Sequence, residues 1–355
     1  MRSPDTDYPA MAANDVEISL RGKWIKVPAL NIDGKTVVVT GRGIKIAAIH
    51  DEDWIEGELQ DLESCISGLK EHNSKSLRAD IFDFTQTLPG ITPRYSYHMT
   101  PRNSYHMEWE SVAAIRLTSY EEWWRKGISG YARKDVRRST KRGVIIRVTE
   151  INDDFVRGIV EIYNESPIRQ GKAFWHYGKD FDTAKRENST FLERSTFIGA
   201  YYKDELIGFM KIVYVGKVAA MMQFLSKIGH YDKRTSNALI AKAVEHCAKK
   251  GMLYLTYGKY RDREKGVSSL ARFKHRMGFA EVLVEKIHVP LTAKGRLCLA
   301  LWLHRDLGAI LPEWLIDLLY SLRTMWSRWR IRAIRRSAGE LYLYNQGRPR
   351  KEGDT

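Results

Sequence analysis

Cysteine is scarce: Cys65, Cys247 and Cys298 are the only three in 355 residues, and no pair has CxxC spacing. That excludes a disulfide framework and a cysteine-based zinc site, and it fits a reducing compartment. Long hydrophobic runs are also missing. No stretch reaches the roughly 18 apolar residues of a membrane span. The longest, 297–303, stops at His304-Arg305-Asp306. The opening MRSPDTDYPAMAANDVEISL has no basic start leading into an apolar core, so it does not read as a signal peptide. The expectation is a cytoplasmic protein with disordered polar ends at 1–14 and 339–355.

What is present describes an ordinary globular chain. Hydrophobic residues make up 43% and charged residues 28%, and the length suits about two domains. Net charge is +15. A field of that sign attracts phosphates, whether in nucleic acid, anionic lipid or coenzyme A, or the acidic surface of a carrier protein.

Apolar runs punctuated by glycine and Asp-Gly turns predict short strands over 15–50, including 36–40 and 44–49. Three- and four-residue spacing predicts a helix over 53–72, and a strand is expected at 80–84. A small duplication follows, RYSYHMTP then RNSYHMEW, before a strand at 112–117. It sets His98 and His106 eight residues apart, with no carboxylate or cysteine at ligand spacing, so no metal site is expected. Helices are expected over 120–142, 153–164 and 181–193. The clearest pattern comes next: strands at 196–202, 206–215 and 218–225, a helix at 236–250, a strand at 252–257, a helix at 267–277 and a strand at 281–289. Hairpins followed by alternating helix and strand predict a mixed-sheet α/β (α+β) fold, not a purely parallel one.

Several strings in this region resemble the FemAB-like branch of the GNAT acyltransferase superfamily: ARKDVRRSTKRGV (132–144), IYNESPIRQGKAFWHYG (162–178), FIGAYYKDELIGFMKIVYVG (197–216), ALIAKAVEHCAKKGMLYLTYG (238–258) and SSLARFKHRMGF (268–279). The resemblance implies a GNAT-like domain over 131–290 and a second, degenerate GNAT-like lobe over 15–130. It also implies transfer of an acyl or aminoacyl group to an amine or hydroxyl, with no metal or tightly bound cofactor. The donor would be acyl-coenzyme A or an acyl carrier protein. Aminoacyl-tRNA fits less well, because the polar helical hairpin of tRNA-dependent members has no counterpart here.

GNAT enzymes hold the pyrophosphate of coenzyme A on a glycine-containing loop at a helix N-terminus, where N–H groups and the helix dipole favour anions. Here that segment reads GHYDKRTSNAL (229–239), without the expected glycines. Lys233, Arg234, Thr235, Ser236 and Asn237 are the residues left to bind the donor. Tyr257, at the end of a buried strand, is a candidate proton relay or else a structural tyrosine. Lys274, in the family's FK pair, is a candidate catalytic or phosphate-contacting residue or else an exposed helix lysine. Gln223 is either a substrate contact on its strand or simply solvent-facing.

The loop RQGKAFWHY (169–177) offers Arg169, Lys172 and Phe174 for gripping a sugar or phosphate, and His176 as a base. Its alternative is a loop whose aromatics seal the core. Arg133, Arg137 and Lys141 fall four apart, as do Lys134, Arg138 and Arg142, which on a helix makes one basic face for an anionic partner.

Four of the ten tryptophans lie within 296–336, alongside an apolar stripe and a cluster of arginines. This predicts an amphipathic helical segment over 291–338 that either lies on an anionic membrane face or docks on protein. The expectation is an acyltransferase at the inner membrane face acting on an amino sugar or lipid-linked envelope or exopolysaccharide precursor. The alternatives are a nucleic-acid-associated protein using the 133–142 face, or an inactive GNAT-like assembly factor.

Overall fold

A computed structural model describes residues 14–20, 23–32, 34–41, 43–50, 62–72, 78–85, 88–90, 105–169, 171–260 and 269–304. The first half contains β1 (Asn14–Leu20), β2 (Lys23–Ile32), β3 (Lys35–Thr40), β4 (Ile46–Ile49), α1 (Leu62–His72), β5 (Ile81–Thr85) and β6 (His106–Arg116). Then come α2 (Tyr120–Glu122), α3 (Gly130–Lys141), β7 (Ile145–Thr149), α4 (Asp153–Asn164), the short pair β8 (Ile168–Arg169) and β9 (Lys172–Ala173), and α5 (Phe181–Asn188). The chain continues through β10 (Ser195–Tyr202), β11 (Glu205–Val215), β12 (Val218–Ser226), α6 (Thr235–Lys249) and β13 (Tyr254–Lys259). It ends with α7 (Ser269–Arg276), β14 (Ala280–Pro290) and α8 (Ala293–Ala300).

One 12-stranded sheet organises the molecule in the order β1-β2-β3-β4-β5-β14-β6-β13-β12-β11-β10-β7. Only two of its pairings are parallel, β4 with β5 and β12 with β13. The same unit therefore occurs twice: four antiparallel strands, a helix, and a strand parallel to the fourth. In the first unit these are β1–β4, α1 and β5; in the second, β7 and β10–β12, α6 and β13. The units are interlocked. β6 follows β5 in the chain but pairs with β13, and β14 follows β13 but pairs with β5. β6 and β14 pair with each other along nine positions, from Ala280↔Ala114 to His288↔His106.

Local chemistry explains the elements that position the site. Lys203 and Asp204 both take left-handed backbone angles, making the tight turn that joins β10 to β11. α4 begins at Asn152, whose Oδ1 accepts from the Phe155 N–H at 2.8 Å, and it buries Phe155, Val156, Ile159, Ile162 and Tyr163 on one face. A Cβ on Gly158 would come within 2.7 Å of Leu206, so the missing side chain lets α4 lie close on β11. The second unit's core is built from Ile198, Ile207, Met210, Ile212, Leu239, Val244 and Leu255, among others. All three cysteines are buried, and burial pushes the Cys247 thiol up to about 12, so it is unreactive.

Three expectations need correction. The helix expected over 120–142 breaks: after a widened turn at Trp123–Gly127, Ile128 is extended and Ser129 starts α3 afresh, its Oγ accepting from the Ala132 N–H at 3.2 Å. The helix expected over 181–193 stops at Asn188, and Phe191 turns left-handed. The strand expected at 252–257 is displaced to Tyr254–Lys259. Much of the 91–104 duplication, including His98, lies outside the described residues, as do the segments 305–338 and 339–355. The second copy of the duplication runs straight into β6. No helix among the described residues is long and apolar enough to cross a membrane.

Candidate functional site

β12 and β13 are hydrogen-bonded neighbours only from Val218↔Tyr254 to Ala220↔Thr256. β12 then continues to Ser226 and β13 to Lys259 without pairing to each other, so the two strands part like a V at their C-terminal ends. Ligands in open α/β sheets enter at such ends. A cleft of about 650 Å³ occupies the V. Phe224, Leu225 and Ser226 form one wall and Tyr257 stands opposite; the first turn of α6, α3 and α7 complete it.

The α6 end is suited to an anion. Arg234, just before the helix, takes φ 56° and no side chain caps the first turn. Amide groups in a first turn have no intrahelical acceptors and carry the positive end of the helix dipole. The Thr235 Oγ1 is buried without a hydrogen-bond partner among the described residues. Ser236 Oγ meets Ser226 Oγ at 3.1 Å, tying the helix start to the cleft wall.

The lining is cationic. Arg169, Arg234, Arg272 and Arg276 face it with one carboxylate, Asp135. Arg234 Nε lies 3.4 Å from Asp135 Oδ1, while Arg272 and Arg276 are exposed, one turn apart on α7. Arg169 is partly committed to structure: it donates to the carbonyls of Ser226 and Ile162, both at 2.9 Å, and packs on Phe174. Burial lowers its pKa from the usual guanidinium range, with Glu165 acting the other way. Tyr131, Phe224, Tyr231, Tyr257 and Phe273 add aromatic surface for stacking.

The structure thus gathers Arg169, Arg234, Thr235, Ser236, Asn237 and Tyr257 in one cleft and sets the other candidates outside its lining. Lys274 is buried, its Nζ donating to the Lys259 carbonyl at 2.6 Å and lying 4.5 Å from the Tyr257 ring centroid. It braces β13 behind Tyr257; the phase of α7 turns it inward. His176 is buried among Tyr163, Phe174 and Trp175. Desolvation, with Lys179 and Arg169 nearby, drives its pKa down to about 3, so it stays neutral in the core. Phe174 packs in that same cluster, Lys172 is exposed on β9, and Gln223 sits opposite Lys211 beside an irregularity in β12. Lys233 turns away to the Tyr202 ring at 4.2 Å.

The basic face of α3 also divides. Arg133 donates to the carbonyls of Trp124, Arg125 and Ile128, closing the broken helix before it. Arg142 binds the Asp232 carboxylate and carbonyl, both at 2.6 Å. Arg137 and Lys141 are exposed, but α3 offers the cleft Tyr131, Ala132 and Asp135 instead. The nucleic-acid alternative thereby loses two of its cations.

Sequence reasoning missed His230, Arg272 and Arg276. His230 lines the cleft, its Nε2 lies 3.4 Å from Glu205 Oε2, and its Nδ1 has no hydrogen-bond partner among the described residues. The Arg-x-x-x-Arg spacing of SLARFKHR was the available signal for the two arginines, since it puts both on one helical face.

The fold is a mixed-sheet α/β of GNAT-like type. Among solved structures it is shared with FemX, at 10% identity and a TM-score of 0.54 over 81% of this chain and 90% of that one. It is also shared with the C-terminal (DUF2156) domain of a putative lysylphosphatidylglycerol synthetase from Agrobacterium fabrum, at 14% identity and a TM-score of 0.50 over 77% and 87%. No family model and no curated protein matches the chain. The likeness to FemX agrees with the FemAB-like strings read from the sequence, and at these identities it is a likeness of fold.

Proposed function

We propose that the chain is an acyl- or aminoacyltransferase that moves an acyl group from a phosphate-bearing donor to an amine or hydroxyl. The observation that carries this reading is the V between β12 and β13, with an uncapped helix start and four arginines around it. The name of one fold neighbour, a putative lysylphosphatidylglycerol synthetase, supports it.

The donor is acyl-coenzyme A or an acyl carrier protein, with aminoacyl-tRNA as the second choice. Its phosphates meet the first turn of α6 and Arg234, Arg272 and Arg276, and its acyl arm runs into the V. The backbone edge of β12 left free beyond Ala220 polarises the acyl carbonyl. His230, oriented by Glu205, takes a proton from the attacking amine or hydroxyl. The new C–N or C–O bond forms as the donor's C–S or C–O bond breaks, and the leaving atom takes a proton from the Tyr257 hydroxyl. The acceptor is an amino sugar or a lipid-linked envelope precursor, and the basic segment 296–336 holds the enzyme at an anionic membrane face.

The test is equilibrium binding of coenzyme A and of aminoacyl-tRNA to the wild type and to Arg272→Ala and Arg276→Ala. One donor should bind, and each variant should weaken it by about tenfold, the size of one exposed charge-assisted contact. Binding of neither, or binding indifferent to both arginines, overturns the reading.

A further inference from the structure

A second cluster of chemistry-bearing residues lies on the sheet away from the cleft. His106 and Glu108 are two residues apart on β6 and so project from the same face. β14 runs beside them, with His288 directly across from His106. His304 arrives from the far side. After α8, Trp302 takes a left-handed φ of 58°, and the Trp302 and Leu303 N–H groups donate to the carbonyls of Leu299 and Cys298. This turn folds the chain back onto the sheet.

The result is a carboxylate oxygen between two imidazoles. Glu108 Oε1 lies 3.2 Å from His106 Nε2 and 2.8 Å from His304 Nε2, and the three ligand atoms all fall within 4.8 Å of one another. Zinc-type ions take nitrogen and oxygen ligands at about 2.0–2.2 Å, which sets tetrahedral donors roughly 3.3 Å apart. The spacing is already close to that. Trp302 meets the His106 ring edge-on at 4.7 Å, walling one side of the group.

His288 supplies an independent observation. Its Nδ1 is held by Asp83 Oδ1 at 2.6 Å, an arrangement that fixes the tautomer with the lone pair on Nε2. That Nε2 is buried without a hydrogen-bond partner among the described residues, and the ring lies 4.6 Å from His304 and 6.0 Å from His106.

We infer that His106, Glu108 and His304 bind a divalent transition ion of the zinc class, with His288 beside them to fill or orient the fourth position. The role is structural. The ion pins the turn after α8 to β6 and β14, fixing the chain where the segment 305–355 begins. The site is independent of the acyltransferase reading, since none of its residues lines the cleft.

The experiment uses the full chain, stripped with a chelating resin and titrated with Co(II), with Zn(II) as competitor. One equivalent should bind, giving visible d–d absorption of a four- or five-coordinate site that Zn(II) abolishes. His106→Ala and His304→Ala should each weaken binding by at least 100-fold, and His288→Ala by about 10-fold. His72→Ala is the control; its imidazole bonds the Gly68 carbonyl within α1 and should change nothing. Because a variant could lose structure instead of a ligand, Co(II)-shifted imidazole ring-proton resonances in the wild type read the ligands directly. Failure of Co(II) and Zn(II) to bind at one equivalent overturns the site, as does unchanged binding in the His106 and His304 variants.

Discussion

In the first unit, β4 and β5 start side by side and α8 presses on their beginning. Lys45 N–H and Lys294 Nζ both reach Asp80 Oδ2 at 2.9 Å, and Thr292 Oγ1 donates to Asp80 Oδ1 at 3.1 Å. Burial alone would raise the Asp80 pKa, but these hydrogen bonds outweigh it and hold the carboxyl below the usual range. In the second unit, β12 and β13 share the same parallel arrangement, and their far ends part to leave the cleft. The topology alone does not make a site. One parallel pair is locked at its start by a packed helix and a satisfied carboxylate. The other opens at its end onto exposed arginines and an uncapped helix.

The strongest way to break this comparison is to unlock the first unit. A Cβ at Gly295 would sit 1.9 Å from the Asp80 carbonyl oxygen, so Gly295→Val must push α8 off the strands. Destabilisation of about 3 kcal/mol is expected by urea denaturation. A value below about 1 kcal/mol would show that α8 is not the lock.

Lys274→Ala probes the open unit. It removes a buried stem and leaves the Lys259 carbonyl without the bond it has now, so about 2 kcal/mol should be lost. Coenzyme A affinity should move less than in Arg276→Ala, because Lys274 supports the wall and does not line it. An equal loss of affinity would return Lys274 to the binding site.

The smallest effect sharpens the boundary between cleft and core. The folded His176 pKa lies near 3, below the ordinary value of 6.5, so below pH 6.5 the unfolded chain binds a proton that the folded one refuses. Stability contributed by this residue is therefore present above pH 6.5 and is lost as pH falls toward 3, at a limiting slope of roughly 1.4 kcal/mol per pH unit. In His176→Phe that part of the slope should vanish from denaturation curves at pH 5 and pH 7. Acyl transfer should keep its rate in His176→Phe and fall by at least tenfold in His230→Gln, which loses the proposed proton acceptor.

Much of the second unit was legible because its signals are local. Near-continuous apolar runs mark β10–β12, Lys203-Asp204-Glu205 and Gly216-Lys217 mark the turns, and α6 announces itself by spacing. The cleft was half legible: Arg169, Tyr257 and 234–237 could be named, but which face of α7 looks inward depends on packing, so Lys274 stood where Arg272 and Arg276 belong. His176 has the composition of a site and the surroundings of a core, a distinction carried by side-chain direction. The crossing of β6 and β14 had no local trace, since it pairs residues as far apart as Glu110 and Val284. His304 joins His106 by the same long reach.

That crossing also sets a timetable for synthesis. β5 is complete at residue 85, yet the strand that covers its open side begins at residue 280. At ribosomal rates the wait is roughly 10 to 40 s. Among the described residues the next strand to emerge is β6, the wrong partner for that edge, because its native neighbours are β13 and β14. Asp83, midway along IFDFT, gains its His288 partner only when β14 arrives, and a charge on an open strand edge is the kind of residue that disfavours premature pairing.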